Sequence, residues 1–456
     1  MNRVAVVNVV GLTKSLIGAH TPFLKKWSEK KHSSVVNPVL PAVTCSVQST
    51  YLTGKMPDEH GIVGNGWYFE EECEVKFWRQ SNKLVTSKKI WEVMKEKNPG
   101  FTCANLFWWY NMYSSVDYAV TPRPQYHADG LKLPDIYTYP ANLRDQLQKE
   151  LGAFPLFDFW GPKTSIKSSE WIAEAAMNVE IKFGPTLSLV YLPHLDYNFQ
   201  RNGNDIEKNK KDLQEIDDVC EKLIKFYEAR KIEVIVLSEY GITDVNFPVD
   251  INRILRKNNF ISVREESGLE LLDAGISEAF AVSDHQLAHV YVKDKSNIEK
   301  IKMLLRKVEG IEEVLDKNDQ QKYSLNHERS GDLVCIANKN AWFTYYYWLD
   351  DNRAPDFART VDIHRKPGYD PVELFIDPKI SVPILKVGSI LIKKKLGFRY
   401  LMEVIPLDAK LVKGSHGRIP ESQNDWPLLI ADSKFSGTDN VIPATEVFEI
   451  LKKALG

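Results

Sequence analysis

Small hydroxyl and thiol side chains gather near the start of the chain, in the stretch PAVTCSVQSTYLTGKMPDEHGIVGNGWYF. Thr44, Cys45 and Ser46 open this run, and a segment punctuated by glycine follows it. Hydroxyl and thiol groups are potential nucleophiles, and a threonine hydroxyl becomes an effective one only when a base or a metal ion removes its proton. Segments with a purely structural role rarely collect so many small polar groups. The stretch therefore predicts a reactive site.

The elements that must position such a site alternate along the first half of the chain. Segments with the apolar pattern of buried strands are RVAVVNVV, FTCANLFWWY, TLSLVYLP and IEVIVLS, and amphipathic segments between them have the pattern of helices. This alternation is typical of an α/β fold with a mainly parallel sheet sandwiched by helices. Because ligands bind beyond the carboxyl ends of such strands, the loops after Val10, Pro193 and Leu237 are predicted to line the site.

The character of the sequence changes after about residue 265. Short strands and a helix predict a small α+β unit, and an aromatic segment that contains WFTYYYW follows it. We therefore predict a core formed by residues 1–264 and 414–456, with residues 265–413 inserted as a cap and an aromatic flap. A closed cap would exclude water and present these aromatic side chains to the substrate. Within the flap, DIHRKPGYDP is either a turn held by ion pairs or a loop that brings Arg365 and Lys366 to a phosphate.

The composition is that of an ordinary globular protein: 43% of the 456 residues are hydrophobic, 26% are charged, and the formal net charge is −2. This near-neutral charge gives no indication of nucleic acid or of an anionic membrane as the main partner. The five cysteines form no CxxC pair. Their arrangement favours a reducing, cytoplasmic location over a disulfide framework or a zinc knuckle.

The longest apolar stretch, ISVPILKVGSILIKKKLGF, is interrupted by Lys386 and ends in three consecutive lysines. It lacks the roughly 18 uncharged residues that a bilayer span needs, so no transmembrane segment is predicted. One interpretation is a strand and a helix with a basic edge. The other is a helix that lies on a membrane surface.

The segment VLPAVTCSVQSTYLTGKMPDEHGIVGN, from Val39 to Asn65, resembles the nucleophile segment of the type I phosphodiesterase and nucleotide pyrophosphatase family, a branch of the alkaline phosphatase superfamily. Further similarities follow in the same order along the chain: GLTKSLIGAHTPFL, YLPHLD, VIVLSEYGI, RSGDLV and KGSHGR. The resemblance implies an alkaline-phosphatase-like fold and the hydrolysis of phosphodiester or pyrophosphate bonds in a small phosphorylated substrate.

The resemblance also implies a mechanism. Family members bind two metal ions, usually zinc, beside a threonine or serine that begins a helix, and this hydroxyl attacks phosphorus in line. Two cations about 4 Å apart stabilise the attacking and leaving oxygens, and the helix N-terminus attracts the phosphate. Thr44 matches the nucleophile, Asn65 matches the residue that holds a phosphate oxygen, and Cys45 lies in the anion-binding turn.

The sequence departs from the family pattern at the metal ligands. The replacements are Val10 for an aspartate, Gln200 for a histidine, and Glu239 and Tyr240 for an adjacent aspartate and histidine. Asp196 and the final His416 are retained. Because zinc favours about four cysteine, histidine or carboxylate ligands, a standard di-zinc centre is not predicted.

Fewer than two divalent ions are therefore expected, either zinc or magnesium or manganese. Their predicted ligands are Asp196, Glu239, His416 and Gln200. His194 shares a face with Asp196 if the preceding strand continues that far, which makes it a predicted contact of the metal or the substrate. The predicted substrate-binding residues are Cys45, Asn65, His194 and Tyr240. Asp362 and His364 of the flap are alternative ligands.

Three functions remain open from the sequence. The first is a hydrolase of phosphoric esters that uses Thr44 with an unconventional metal set. The second is a catalytically inactive relative that binds a phosphorylated ligand or a protein partner. The third is a metal-free transferase in which Glu239 or His416 is the base for Thr44. A sulfatase of the same superfamily is excluded, because CSVQS lacks the third-position residue and the arginine of the Cys-x-Pro/Ala-x-Arg pattern.

Overall fold

In the computed structural model, which describes residues 1–128 and 131–456, a nine-stranded sheet forms the centre of the molecule. Its strands in chain order are Val4–Val9 (β1), His32–Asn37 (β2), Cys103–Leu106 (β3), Tyr118–Pro122 (β4), Ile136–Tyr139 (β5), Leu187–Leu192 (β6), Glu233–Leu237 (β7), Leu428–Ala431 (β8) and Val441–Pro443 (β9). The order across the sheet is β9, β2, β8, β7, β1, β6, β3, β4, β5.

Most neighbouring strands of this sheet run parallel. The strand β1 pairs in parallel with β6 on one side and β7 on the other. The exceptions are β8, which is antiparallel to β2 and β7, and β5 at the edge. All residues of β1 and β6 are buried, as expected for parallel strands covered on both faces. The predicted α/β fold with a mainly parallel sheet is confirmed.

The helices in chain order are Pro22–Ser28 (α1), Thr44–Thr53 (α2), Pro57–His60 (α3), Ile90–Lys97 (α4), Leu143–Leu151 (α5), Leu156–Phe159 (α6), Lys167–Phe183 (α7), His194–Asn202 (α8), Ile206–Glu228 (α9), Ile251–Lys257 (α10), Ile298–Leu305 (α11), Lys317–Gln320 (α12), Pro383–Lys395 (α13), Ser433–Ser436 (α14) and Glu446–Leu455 (α15). Helices α1, α7 and α8 each contact α9, and helices α2 and α4 each contact α15.

A second sheet is formed by strands between residues 279 and 337. Its four antiparallel strands, in their order across the sheet, are Ala279–Asp284, Leu287–Val292, Leu333–Ala337 and Ile311–Leu315. Buried apolar residues between 245 and 412, together with Phe77, form a cluster of their own around this sheet. The boundaries of the predicted core and cap remain a prediction.

The aromatic run WFTYYYW lies inside this second cluster rather than on its surface. Trp342, Tyr345 and Trp348 are fully buried, and Tyr345 packs edge-to-face against Trp348. The aromatic side chain that reaches the residues of the predicted site is instead Tyr369, whose hydroxyl contacts the Gln200 amide group at 3.1 Å.

The flap segment DIHRKPGYDP is a turn held by ion pairs. The buried Lys366 ammonium group lies 2.7 Å from the Asp370 carboxylate and 2.7 Å from the Glu373 carboxylate. Arg365 pairs with Asp356 at 3.1 Å. Because a buried charge that already has two partners is costly to separate, Lys366 is not available to a phosphate.

The cysteines and the helix lengths bear on two further predictions. All five cysteines are free thiols. Among the described residues, no helix combines the length and the hydrophobicity that crossing a bilayer requires.

Candidate active site

Thr44 is the first residue of α2, directly after an extended Val43, and it lies beyond the carboxyl ends of the central strands. Its hydroxyl oxygen is 3.2 Å from the hydroxyl of Tyr240, which follows β7. The Tyr240 hydroxyl in turn donates a hydrogen bond of 3.3 Å to Oδ1 of Asp196 in α8. All three residues are buried. The arrangement is a continuous hydrogen-bonded path from a threonine hydroxyl to a carboxylate.

Asp196 also connects this path to Gln200 and His416. The Gln200 amide donates to Asp196 Oδ2 at 3.0 Å, because four residues along α8 bring the two side chains to the same face. Nε2 of His416 lies 3.7 Å from Asp196 Oδ1. Thr44, Asp196 and His416, which are far apart in the sequence, therefore meet in one buried cluster.

A column of four stacked rings supports the cluster. His416 stacks on Tyr240 at 3.6 Å between ring centroids, and the His285 ring lies tilted by 37° against His416 at a centroid distance of 3.6 Å. His285 stacks in turn on Tyr369 at 3.7 Å. Burial among these rings lowers the pKa of His416 to about 3 and also lowers the pKa of His285, so both imidazoles are neutral.

The tautomer of His416 follows from its hydrogen bond. Its Nδ1 atom lies 2.7 Å from the carbonyl oxygen of Ala42, which can only accept, so Nδ1 carries the proton. The other ring nitrogen, Nε2, then presents a lone pair toward Asp196 and has no hydrogen-bond partner among the described residues. A lone pair and a carboxylate oxygen that face each other at 3.7 Å create a position suited to a proton or a cation.

Glu239 lies on the other side of Thr44 and is held by amide groups. Its Oε1 atom accepts hydrogen bonds from Asn8 at 2.6 Å and from Gln48 at 2.5 Å. Burial raises the pKa of Glu239 to about 8, although the hydrogen bonds from Gln48 and Asn8 oppose the shift. Glu239 is therefore mostly protonated at neutral pH and is a poor base there.

Burial also raises the pKa of Asp196, to about 7, against the opposing effect of its hydrogen bonds from Gln200 and Tyr240. A carboxyl group with a pKa near neutrality can both accept and release a proton at physiological pH. The two buried acids beside Thr44 thus differ, and Asp196 is the one that is substantially ionised at pH 7.

Asn65 is held beside the first turn of α2 through its contact with Cys45. The Asn65 side-chain oxygen accepts from the Cys45 backbone N–H at 3.0 Å, which ties the loop that contains Asn65 to the first turn of α2. Asp284 fixes Asn65 by accepting from its backbone N–H at 2.7 Å and from its side-chain amide at 3.1 Å. One N–H of the Asn65 amide group remains for a ligand. The substrate-binding roles of Asn65, Cys45 and Tyr240 remain predictions.

The structure corrects the prediction for His194. The strand does not continue to Asp196, because α8 begins at His194. Two residues along a helix differ by about 200° around its axis, so His194 and Asp196 point to opposite sides. His194 instead faces α9, where its Nε2 atom lies 3.2 Å from Asp212 and 3.3 Å from Glu215.

Two separate places offer ligands to a divalent ion. Among the described His, Cys, Asp and Glu residues, the group of three whose ligand atoms lie close enough to hold an ion is His194, Asp212 and Glu215. In the Thr44 cluster, the available ligands are Asp196 and His416, with the Gln200 amide as a weak third. Val10 supplies no donor, and the Tyr240 hydroxyl lies between Thr44 and Asp196. This donor set does not fit a di-metal centre, and it offers a single ion two strong ligands, Asp196 and His416.

Several residues of the site were not recognised in the sequence. Asn8 and Gln48 hold Glu239, Asp284 holds Asn65, and Tyr369 closes the ring column. Two features of the sequence could have indicated the residues that hold Glu239. One is an asparagine, Asn8, inside the otherwise apolar β1, and the other is Gln48, one helical turn after Thr44. The positions of Asp284 and Tyr369 depend on how the residues around the second sheet pack against the central sheet, and no local pattern shows this.

Asp284 gives a prediction for stability. Burial raises its pKa from 3.8 to about 7, against the hydrogen bonds from Asn65. Between these values the folded protein binds a proton that the unfolded chain has released, so the free energy of unfolding decreases as the pH rises from 5 to 7. The decrease is up to about 1.4 kcal/mol per pH unit for each such group. Urea unfolding at pH 5, 6, 7 and 8 measures it.

The matched variant for this experiment is Asp284→Asn, which cannot ionise. Its free energy of unfolding should change less steeply between pH 5 and 7 than that of the unaltered protein. The residual slope is assigned to the other carboxyl groups whose pKa values burial raises, which include Asp196, Glu239, Asp217 and Asp370. Equal slopes in the two proteins would show that Asp284 does not titrate in this range.

Comparisons with known sequences give a consistent result. A profile described as type I phosphodiesterase / nucleotide pyrophosphatase matches residues 4–370. An uncharacterized pyrophosphatase/phosphodiesterase from Schizosaccharomyces pombe is 26% identical over 255 residues, which cover 53% of this chain and 44% of that protein. The match thus spans less than half the length of this curated relative.

Solved structures with the same fold cover almost the whole chain. Murine ectonucleotide pyrophosphatase / phosphodiesterase 5, as an inactive threonine-to-alanine variant in complex with AMP, has a TM-score of 0.60 and 14% identity, covering 100% of this chain and 95% of that chain. Phosphonoacetate hydrolase from Sinorhizobium meliloti, in complex with phosphonoformate, has a TM-score of 0.60 and 13% identity, covering 99% and 96%. These similarities confirm the predicted alkaline-phosphatase-like fold.

Proposed function

Because the chain belongs to the type I phosphodiesterase / nucleotide pyrophosphatase family, we propose that it is a phosphoester hydrolase in which Thr44 is the nucleophile. The observation that carries the proposal is the hydrogen-bonded path from Thr44 through Tyr240 to Asp196, with distances of 3.2 Å and 3.3 Å. The path gives the threonine proton a destination, which is the requirement for a hydroxyl to act as a nucleophile near neutral pH.

In the proposed first step, the Thr44 oxygen forms a bond to phosphorus and the bond from phosphorus to the leaving oxygen breaks. The Thr44 proton passes to the Tyr240 oxygen while the Tyr240 proton passes to Asp196. The leaving alkoxide takes a proton from solvent water and departs as an alcohol, and the hydroxide left behind is neutralised by the proton that the attacking water releases in the second step. Water then attacks the phosphorylated Thr44, releases the phosphate ester and restores the threonine hydroxyl, with the proton of Asp196 returned along the same path.

The first turn of α2 contributes to binding. The helix N-terminus carries a partial positive charge that favours an anionic phosphate beside Thr44. Asn65 lies on the same side, and its side-chain position is fixed by Cys45 and Asp284. We assign to Asn65 a hydrogen bond to a non-bridging phosphate oxygen. Because the solved relatives bind AMP and phosphonoformate, we propose a small phosphorylated compound as the substrate of this chain.

Members of this family typically depend on divalent metal ions. In this chain a single zinc, magnesium or manganese ion would be held by Asp196 and His416 with Gln200, where the unpartnered Nε2 lone pair of His416 faces Asp196. Such an ion supplies positive charge that stabilises a phosphate oxygen. Glu239, predicted as a fourth ligand, has one oxygen engaged by two amide donors. We retain the cytoplasmic location as a proposal.

Metal content provides the test of this assignment. Protein purified without a chelator should contain at most one divalent ion per chain by elemental analysis. His416→Ala should lose this ion, whereas the exposed His127→Ala should keep it. His194→Ala is the control for the alternative group formed with Asp212 and Glu215. Two ions per chain, or loss of the ion in His194→Ala but not in His416→Ala, would contradict the assignment.

The second candidate function is a catalytically inactive protein that binds a phosphorylated ligand. The observation that favours it is the replacement of the family's ligands at Val10, Gln200 and Tyr240. Binding of AMP without hydrolysis of any aryl phosphodiester, under zinc, magnesium or manganese, would support this candidate and reject the hydrolase.

A further inference from the structure

Helix α13 is the most exposed apolar element among the described residues, and the proposed activity leaves it unexplained. Ile384, Leu385, Leu391 and Ile392 are between 49% and 84% exposed. Leu396 and Phe398, just after the helix, are also exposed. Monomeric soluble proteins rarely expose so many large apolar side chains together, and such patches mark interaction sites.

The exposed apolar residues form a single stripe. Ile384 and Leu391 are seven residues apart, as are Leu385 and Ile392, so the two pairs lie side by side on one face of the helix. A different face attaches the helix to the cap, since Ile390 is buried and Val387 packs against the second hydrophobic cluster. Ile390 and Val387 therefore hold the helix against the second cluster, and the apolar stripe faces solvent.

The charge around the stripe has one sign. Six cationic residues and no acidic residue stand between Asp377 and Glu403: Lys379, Lys386, Lys393, Lys394, Lys395 and Arg399. Among the described residues, the five lysines form no ion pair, and Arg399 has only a 3.8 Å contact with Asp356. The whole chain has a formal charge of −2, so this local excess of positive charge is a specific feature of the segment.

We propose that α13 and the residues that follow it dock the protein on a membrane surface that carries anionic lipids. An apolar stripe flanked by lysines matches the two layers of such a surface, because the aliphatic side chains enter the acyl boundary while the lysines contact the headgroups. Lys395 lies within the stripe, and its long side chain can extend its ammonium group to the headgroup level. At 13 residues the helix is too short to span a bilayer and suits a position in the plane of the interface.

The docked helix lies close in sequence to the proposed active site. Tyr369 contacts Gln200, and the carbonyl of Leu374 accepts a 2.9 Å hydrogen bond from Arg201 at the end of α8. Eight residues then separate Leu374 from Pro383, the first residue of α13. Docking would place the site near the membrane without altering the residues that perform the proposed chemistry, so the two proposals can fail independently.

Co-sedimentation with lipid vesicles tests the proposal on the full chain. Vesicles of phosphatidylcholine with about one third phosphatidylglycerol should bind the protein, and pure phosphatidylcholine vesicles should bind it far more weakly. Replacing Lys393, Lys394 and Lys395 by glutamine should reduce the affinity on the order of 100-fold, since each lysine near an anionic surface contributes about fivefold. Leu391→Ser with Ile392→Ser should also abolish most of the binding.

Matched control variants carry the same types of substitution, lysine to glutamine and isoleucine to serine, at exposed positions outside α13. The triple glutamine variant of Lys208, Lys210 and Lys211, which lie exposed on α9, should bind anionic vesicles as the unaltered protein does, and so should Ile181→Ser. Retained far-UV circular dichroism in every variant establishes that the fold is kept. Absence of binding to anionic vesicles would overturn the proposal. An equal loss of vesicle binding in the α9 lysine variant or in Ile181→Ser would also overturn it. A concentration-dependent dimer that the α13 variants disrupt would overturn it as well.

Discussion

Thr44→Ala is expected to reduce the hydrolysis of an aryl phosphodiester such as bis(4-nitrophenyl) phosphate by at least about 1,000-fold, because the variant lacks the atom that attacks phosphorus. Thr44→Ser keeps a hydroxyl at the same position and should retain activity within about tenfold. Steady-state rates at saturating substrate measure both. Binding of AMP should be almost unchanged in Thr44→Ala, since the helix N-terminus and Asn65 remain.

The control for Thr44→Ala is Thr53→Ala at the other end of α2. Thr53 is a buried threonine whose hydroxyl donates to the Ser49 carbonyl at 2.6 Å, so its removal tests the general effect of truncating a threonine in this helix. It should leave kcat unchanged within about twofold. Comparable losses in the two variants would assign the effect to helix stability rather than to nucleophilic attack.

Tyr240→Phe is expected to lower kcat by roughly 100-fold with little change in ligand affinity. The variant keeps the ring that stacks on His416 at 3.6 Å but removes the hydroxyl that connects Thr44 to Asp196. Loss of a positioned proton acceptor typically reduces rates by 100-fold to 10,000-fold. Separate measurement of kcat and of AMP affinity distinguishes this loss from a change in the shape of the site.

Tyr51→Phe is the matched control for the loss of a buried tyrosine hydroxyl. Tyr51 is also buried, and its hydroxyl donates to the Ser238 carbonyl at 2.9 Å, near the start of the same loop that carries Tyr240. We expect a loss of about 1 kcal/mol in the free energy of unfolding and almost unchanged turnover. If Tyr240→Phe and Tyr51→Phe were equally active, the proton path would have to be abandoned.

The fold was predictable because its strands carry a strong local signal. The continuous apolar runs of β1, β6 and β7 define parallel strands, and their carboxyl ends give the location of the site. Thr44, Asp196 and His416 were predicted to belong together from the resemblance of short segments, and they meet in one cluster. The strand ends alone do not determine which atoms of these residues face one another.

The parts that could not be predicted depend on contacts between distant segments. His194 points away from the cluster because α8 begins one residue after Pro193, and a boundary that precise is not encoded in a short apolar run. The role of Tyr240 as a bridge is likewise visible only in three dimensions. From the sequence its phenol is a replaced metal ligand, whereas in the structure it lies between Thr44 and Asp196.

Covalent trapping of Thr44 tests the central proposal most directly. Protein quenched in acid during turnover of bis(4-nitrophenyl) phosphate and digested to peptides should show, by mass spectrometry, a phosphoryl ester on the peptide that contains Thr44. The same peptide from Thr44→Ala should carry none, and that variant should be inactive. Turnover by Thr44→Ala at the rate of the unaltered protein, with no modified residue in either protein, would contradict nucleophilic catalysis by Thr44.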